Sequence, residues 1–283
     1  MPPPELRARM RIVSLLPSAT ETLFALGLRD QVVAVTHECD YPAEARQRPI
    51  VTRPALALHD KDSAEIERQV ARAAAEGGSL YEIDTAAIRA LKPDLVIAQD
   101  VCRVCAVAAD EVADELTGIP MIRQHPHTLA EVLTDIGELA QLADGGGKAL
   151  VGALQRRIDA AAEQARGKPR VRGVFLEWLD PPYPAGHWTP DLLDLAGIED
   201  PLARHGLPST ARSWAEVAAA QPQLLVLAPC GFDRARAQQE ATRVRHELEK
   251  VGAERIELLD GSAYFNRPGP RLIDSLELLL ACR

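Results

Sequence analysis

The 283-residue chain has no apolar run of the length that a bilayer requires, so no segment is expected to span a membrane. It also has no basic stripe. The formal charge is −9, and a phosphate-gripping surface needs an excess of Lys and Arg, which excludes a nucleic-acid partner. The five cysteines are an odd number in a long chain, which excludes a disulfide framework as the basis of the fold. The opening MPPPELRARM is followed only by a short apolar stretch at 12–16, with no cleavage site or lipid-bearing cysteine after it. A cytoplasmic location is therefore the expectation, with a periplasmic or extracellular one reserved for a chain trimmed of its leader. The sequence has no G-x-G-x-x-G, P-loop, G-x-S-x-G or H-E-x-x-H, and His37-Glu38 runs into Cys39-Asp40, which breaks zincin spacing. No catalytic motif is present, and a protein that is not an enzyme is expected.

What remains is 47% hydrophobic and 26% charged, the balance of a globular protein with a substantial core. Short β-rich runs alternate with helical patterns, which predicts an α/β fold with mostly parallel sheets. Strands are expected at 12–16, 32–35, 95–98, 120–122, 171–178, 224–228 and 256–259. Ser18 with Glu21, Thr128 with Glu131, and Ser213 with Glu216 each have the spacing of a capping box. Helical patterns cover 107–116 and 233–251, and a further long helix covers 148–166. That last helix is long enough to reach from one domain to the next. The expected division is an N-terminal α/β lobe at 1–143, a linking helix at 144–168 and a C-terminal α/β lobe at 169–283.

One internal similarity joins the halves. Leu91-Lys92-Pro93-Asp94-Leu95-Val96-Ile97-Ala98 resembles Ala220-Gln221-Pro222-Gln223-Leu224-Leu225-Val226-Leu227: a helix end, a proline stop and a buried strand. Ligands of open parallel sheets sit beyond the carboxyl ends of the strands. His37, Cys39, Cys102, Cys105 and Cys230 all follow strands, and would line one cleft if the two lobes face each other. Four imidazole and thiolate groups suit tetrahedral zinc or an iron–sulfur cluster, although the spacing matches no known finger. The Cys102-x-x-Cys105 pair alone is half such a site. It equally fits a redox pair at a helix start, or two thiols packed in a turn.

Other polar groups gather on loops. Gly186-His187-Trp188 lies between a strand and a helix, where ligands are often met. Trp178 and Trp188 offer flat apolar area with an N–H for a ligand or for lobe packing, the latter favoured for Trp178 at its strand end. Tyr264-Phe265-Asn266-Arg267-Pro268-Gly269-Pro270-Arg271 combines aromatics with guanidinium groups, of which Arg267 or Arg271 suits an anion and Arg271 also suits tethering the last helix.

The run Arg11-Ile12-Val13-Ser14-Leu15-Leu16-Pro17-Ser18-Ala19-Thr20-Glu21, then Gly27, Asp40-Tyr41-Pro42 and Leu91-Lys92-Pro93-Asp94-Leu95-Val96, resembles the substrate-binding proteins of ABC importers for cobalamin and iron-siderophores. Pro181-Pro182-Tyr183, Leu195-Ala196-Gly197 and the 264–271 run look like the cobalamin-binding branch, and the match covers nearly the whole chain. The His37-Glu38-Cys39 and Cys102-x-x-Cys105 elements mark a subgroup that departs from the usual receptors. The resemblance implies two Rossmann-like lobes joined by one rigid helix. It further implies a small ligand between them, cobalamin or a related corrinoid, and an importer partner if the protein is exported. Tyr41, Tyr183, Tyr264 and Phe265 would by position contact the corrinoid, beside His187, Trp188 and Arg267. A zinc or iron–sulfur metalloprotein reusing the fold is the competing expectation.

Overall fold

The computed structural model describes residues 10–101, 107–143 and 147–283. The chain divides into two compact units. The first takes in the described residues of Met1–His59, Val70–His125 and Leu133–Ala153; the second is Asp60–Gln69, Pro126–Val132 and Leu154–Arg283.

Strands β1 (Ile12–Ser14), β2 (Val32–Ala34), β3 (Thr52–Pro54), β4 (Tyr81–Ile83), β5 (Leu95–Gln99) and β6 (Met121–Gln124) belong to the first unit. Four of them make a parallel sheet in the order β2-β1-β5-β6, and β3 and β4 pair as a small antiparallel ribbon. Both faces of the parallel sheet are apolar, as helix-covered sheets require. Ile12, Leu95 and Ile97 face one core cluster, while Val13, Val96 and Ala98 face the other.

The helices in chain order are α1 (Pro17–Ala25), α2 (Ser63–Ala75), α3 (Thr85–Ala90), α4 (Asp110–Ala113), α5 (Leu129–Ala140) and α6 (Gly147–Ala165). In the second unit, β7 (Val171–Leu179), β8 (Pro182–Pro184), β9 (Ile198–Glu199), β10 (Leu224–Leu227) and β11 (Arg255–Leu258) form the sheet β11-β10-β7-β8, with β9 also on β7. Only the β7–β8 hairpin pairs antiparallel in that sheet. Its helices are α7 (Thr189–Ala196), α8 (Trp214–Ala219), α9 (Arg234–Arg243), α10 (Arg245–Val251) and α11 (Leu272–Cys282).

The expected α/β class is what the chain adopts, with local corrections. The 18–21 capping box does not form. Pro17 already occupies the first helical turn, Leu16 stands at the cap without a side-chain bond, and Ser18 and Glu21 are buried. A proline at that position starts a helix one step earlier, because its missing N–H costs nothing there. The helix expected at 233–251 divides at Val244, whose φ −94° and ψ 13° leave the helical range while its side chain stays buried. The one expected at 107–116 shortens to α4.

The internal similarity is structural to the level of single atoms. Lys92 and Gln221, each before a proline, both take φ 47°. Proline disfavours the α region for the residue before it, so the helix must stop there. In the first unit, Arg11 Nε donates to Leu91 O at 2.7 Å, and its amide donates to the Asp94 carboxylate at 2.8 Å. In the second, Arg172 Nε donates to Ala220 O at 2.6 Å, and its amide donates to Gln223 Oε1 at 3.3 Å.

Candidate functional site

In the first unit the carboxyl end of β2 runs into a turn at 36–39. His37 is half-buried; its amide donates to Thr52 Oγ1 at 3.1 Å and its Nδ1 lies 2.8 Å from the same oxygen. Its ring packs 5.8 Å from that of Tyr81, and Nε2 is 3.4 Å from the Glu38 carboxylate. Cys39 turns the other way, into the core with Ile12, Leu16 and Val32. Its Sγ lies 3.1 Å from Thr20 Oγ1 and 3.2 Å from Thr36 Oγ1, and the residue is 2% exposed. Tyr41 stands on the following loop, 48% exposed, at the head of a cis Tyr41-Pro42 bond.

In the second unit the candidate side chains lie on or after β7, β8, β10 and β11. Trp178 and Tyr183 are directly paired across the β7–β8 hairpin. The Tyr183 hydroxyl donates to Glu67 at 2.7 Å, and burial together with that carboxylate pushes its pKa up to about 12. Trp178 packs 5.1 Å from Phe232, whose other neighbour is the Arg236 guanidinium, 3.9 Å from the ring centre. The Trp178 Nε1–H is buried without a hydrogen-bond acceptor.

Beyond β8, His187 adopts φ 50° and stacks on His127 at 5.6 Å with planes 19° apart. Left-handed backbone at a bulky residue carries a steric cost, so the surrounding bonds must hold it. Trp188 is 7% exposed and donates from Nε1 to Phe265 O at 2.9 Å. Phe265 is 2% exposed and meets Phe175 at 4.9 Å. Trp188 and Phe265 therefore serve as the floor of the loops; the rims are His187, Tyr183 and Tyr264.

The 261–265 segment is a single π-type turn, a form common where a chain is bent for function. Gly261 makes it possible: a Cβ there would fall 2.1 Å from Pro229 O and 2.5 Å from Ala228 O. Tyr264 is half-buried with Arg271 5.9 Å from its ring, and Arg267 is buried, 7% exposed. Cys230 is half-buried after β10, its amide donating to Glu177 O at 2.8 Å.

Two further acids are half-buried here. Glu177 on β7 accepts from Ser209 Oγ and from the Gly186 amide at 3.1 Å, and burial raises its pKa against those two bonds. Asp200 accepts from the amides of Phe175 at 2.9 Å and Leu202 at 2.8 Å, and burial pushes it up to about 6. No motif announces either; their burial comes from loops folding over the sheet edge.

The metal set does not assemble among the described residues: no group of three or more His, Cys, Asp or Glu is placed to hold an ion. Cys102 and Cys105 lie outside the described residues. The zinc or iron–sulfur expectation thus finds no support among the described residues, where Cys39 is taken into the core. No helix among the described residues is long and apolar enough to cross a membrane.

Comparison with known proteins gives the setting of these residues. The family model described as periplasmic binding protein matches residues 12–253. A vitamin B12-binding protein of Vibrio cholerae is 28% identical over 279 residues, covering 94% of this chain and 86% of that protein. One of Yersinia pestis is 27% identical over 229 residues, covering 78% and 70%. Among solved structures, the periplasmic vitamin B12 binding protein of Vibrio cholerae superposes with a TM-score of 0.71 at 24% identity, covering 96% of this chain and 95% of that one. A periplasmic heme binding protein of Pseudomonas aeruginosa gives 0.71 at 19% identity over 96% and 91%. At such identities the structural likeness is one of fold. The cytoplasmic expectation is corrected by these findings, since the matching family and the solved neighbours are periplasmic.

Proposed function

Since the chain belongs to the periplasmic binding protein family, we propose that it is a non-catalytic receptor that binds cobalamin or a related corrinoid in the periplasm and delivers it to an ABC importer. The observation that carries this reading is the match to vitamin B12-binding proteins over 94% of the chain. The geometry supports it from below. A flat, largely apolar ligand gains most from burying area against rigid aromatic and loop surfaces, with few polar contacts to orient it. In the second unit, His187 and Tyr264 stand beyond strand ends and Tyr183 on the short edge strand β8, each only partly covered. Trp188 and Phe265 are joined beneath them by the indole N–H on Phe265 O. Trp178 adds a half-buried ring beside Tyr183 on the same hairpin.

The test is calorimetric titration of the purified protein with cyanocobalamin, with hemin as comparator. Saturable cyanocobalamin binding is expected, and ligand at a hundred times its dissociation constant should add about 2.7 kcal/mol to stability, read as a rise in Tm. Hemin binding without cyanocobalamin binding would replace the corrinoid with another macrocycle, and binding of neither would end the reading.

A further inference from the structure

We propose that Glu177 is a positioning residue for the ligand-facing His187 loop, which it clamps to the 207–209 segment. The inference rests on the reading of this loop as part of the ligand surface. The two segments lie against each other: His187 N donates to Leu207 O at 2.8 Å and Gly206 N to His187 O at 3.1 Å. Arg204 N reaches Ala185 O at 2.9 Å on the same side. Contact is so close that a Cβ at Gly186 would sit 2.5 Å from Ser209 N and 3.0 Å from Leu207 O. Glu177 stands under this junction on the rigid β7 strand. One carboxylate oxygen takes the Gly186 amide and the other takes the Ser209 hydroxyl, so a single side chain bridges both segments.

The cost of this arrangement shows that the carboxylate is more than filling. A half-buried acid is expensive unless its oxygens are satisfied, and here desolvation raises its pKa while the two bonds hold it down. No charged side chain contributes to that shift; the titratable groups on the neighbouring segments are His187, His205, Arg204, Arg212 and, behind the strand, Cys230. What the bridge secures is the left-handed φ of 50° at His187, the residue directly after Gly186. Without the bridge, the Gly186 amide and Ser209 hydroxyl lose their acceptor, and only the backbone bonds of the junction restrain the loop.

Three variants test this: Glu177→Gln, Glu177→Ala and Ser209→Ala, each in the full chain. Gln can accept from the Gly186 amide and donate to Ser209 Oγ, so it should keep cyanocobalamin affinity within about twofold. Ala should weaken binding about tenfold, and Ser209→Ala, which removes one of the two bonds and is the milder change for folding, should fall between. A purely structural role would instead lower the Tm of Glu177→Ala and leave the affinity of the folded protein at the wild-type value. Amide hydrogen exchange without ligand supplies an arm independent of the ligand's identity. Faster exchange at 185–188 and 206–209 in Glu177→Ala, restored in Glu177→Gln, is expected. Unchanged exchange there overturns the proposal. A wild-type protein that ignores cyanocobalamin yet shows the exchange pattern would overturn only the ligand reading.

Discussion

At Gly261 the backbone of the π-type turn passes so close to the end of β10 that hydrogen is the only side chain with room. Gly261→Ala should push Ala228 and Pro229 aside and cost about 1–3 kcal/mol, as overpacking generally does; urea unfolding measures it, and an unchanged midpoint would mean that the turn gives way freely. Asp200 sets a pH dependence whose sign follows from its environment. Its folded pKa, about 6, lies above that of an exposed aspartate, so ionisation favours the unfolded chain. The stability it contributes is complete below the unfolded value near 4 and declines as pH rises towards 6. The Tm of the wild type relative to Asp200→Asn should therefore fall between pH 4 and pH 7, and a constant difference would place the buried charge elsewhere. Neither residue was legible in the sequence. Gly261 sits in an ordinary Asp-Gly-Ser run, and Asp200 becomes buried only when the 200–203 turn folds onto β7.

Among the elements, the repeated helix–proline–strand unit was readable because its causes are local. A proline ends α3 and α8 alike, and a buried parallel strand must be apolar on both faces. What the sequence comparison did not include is the arginine that closes each copy, since Arg11 and Arg172 lie some eighty and fifty residues from the helix ends they hold. Arg172→Ala should cost about 1 kcal/mol in urea unfolding through loss of the bond to Ala220 O. Arg11→Ala should do the same through Leu91 O, and a neutral result for both would show that solvent replaces the arginine without loss. The boxes at Thr128 and Ser213 form as their spacing predicts, with Glu131 and Glu216 reaching back to the cap amides. The same spacing at Ser18 fails because Pro17 pre-empts it.

Across the whole molecule, neither compact unit is a continuous stretch of chain. The second unit includes Asp60–Gln69, from which Ser63 donates through its amide and hydroxyl to the buried Glu240 at 3.0 and 2.8 Å. It also includes Pro126–Val132, whose Leu129 amide is bound by Asp191 at 2.9 Å. A fragment starting at residue 154 leaves Glu240 and Asp191 without those donors. It should unfold at lower urea than the second unit does in the full chain, and an equal midpoint would show that the two inserted segments contribute nothing.

The class of fold, the strands β1, β2, β5, β6, β7, β10 and β11, and the receptor family were settled by the sequence itself, because periodicity, proline stops and the Arg11–Glu21 run act over a few neighbouring residues; the short strands β3, β4, β8 and β9 were not. Tertiary structure alone decided which polar groups are buried and what they face. It drew Cys39 into a core with two threonine hydroxyls and put Glu177 beneath the His187 loop. Burial and partnership depend on contacts between segments far apart in the chain, and such contacts leave no periodic trace in the residues that make them.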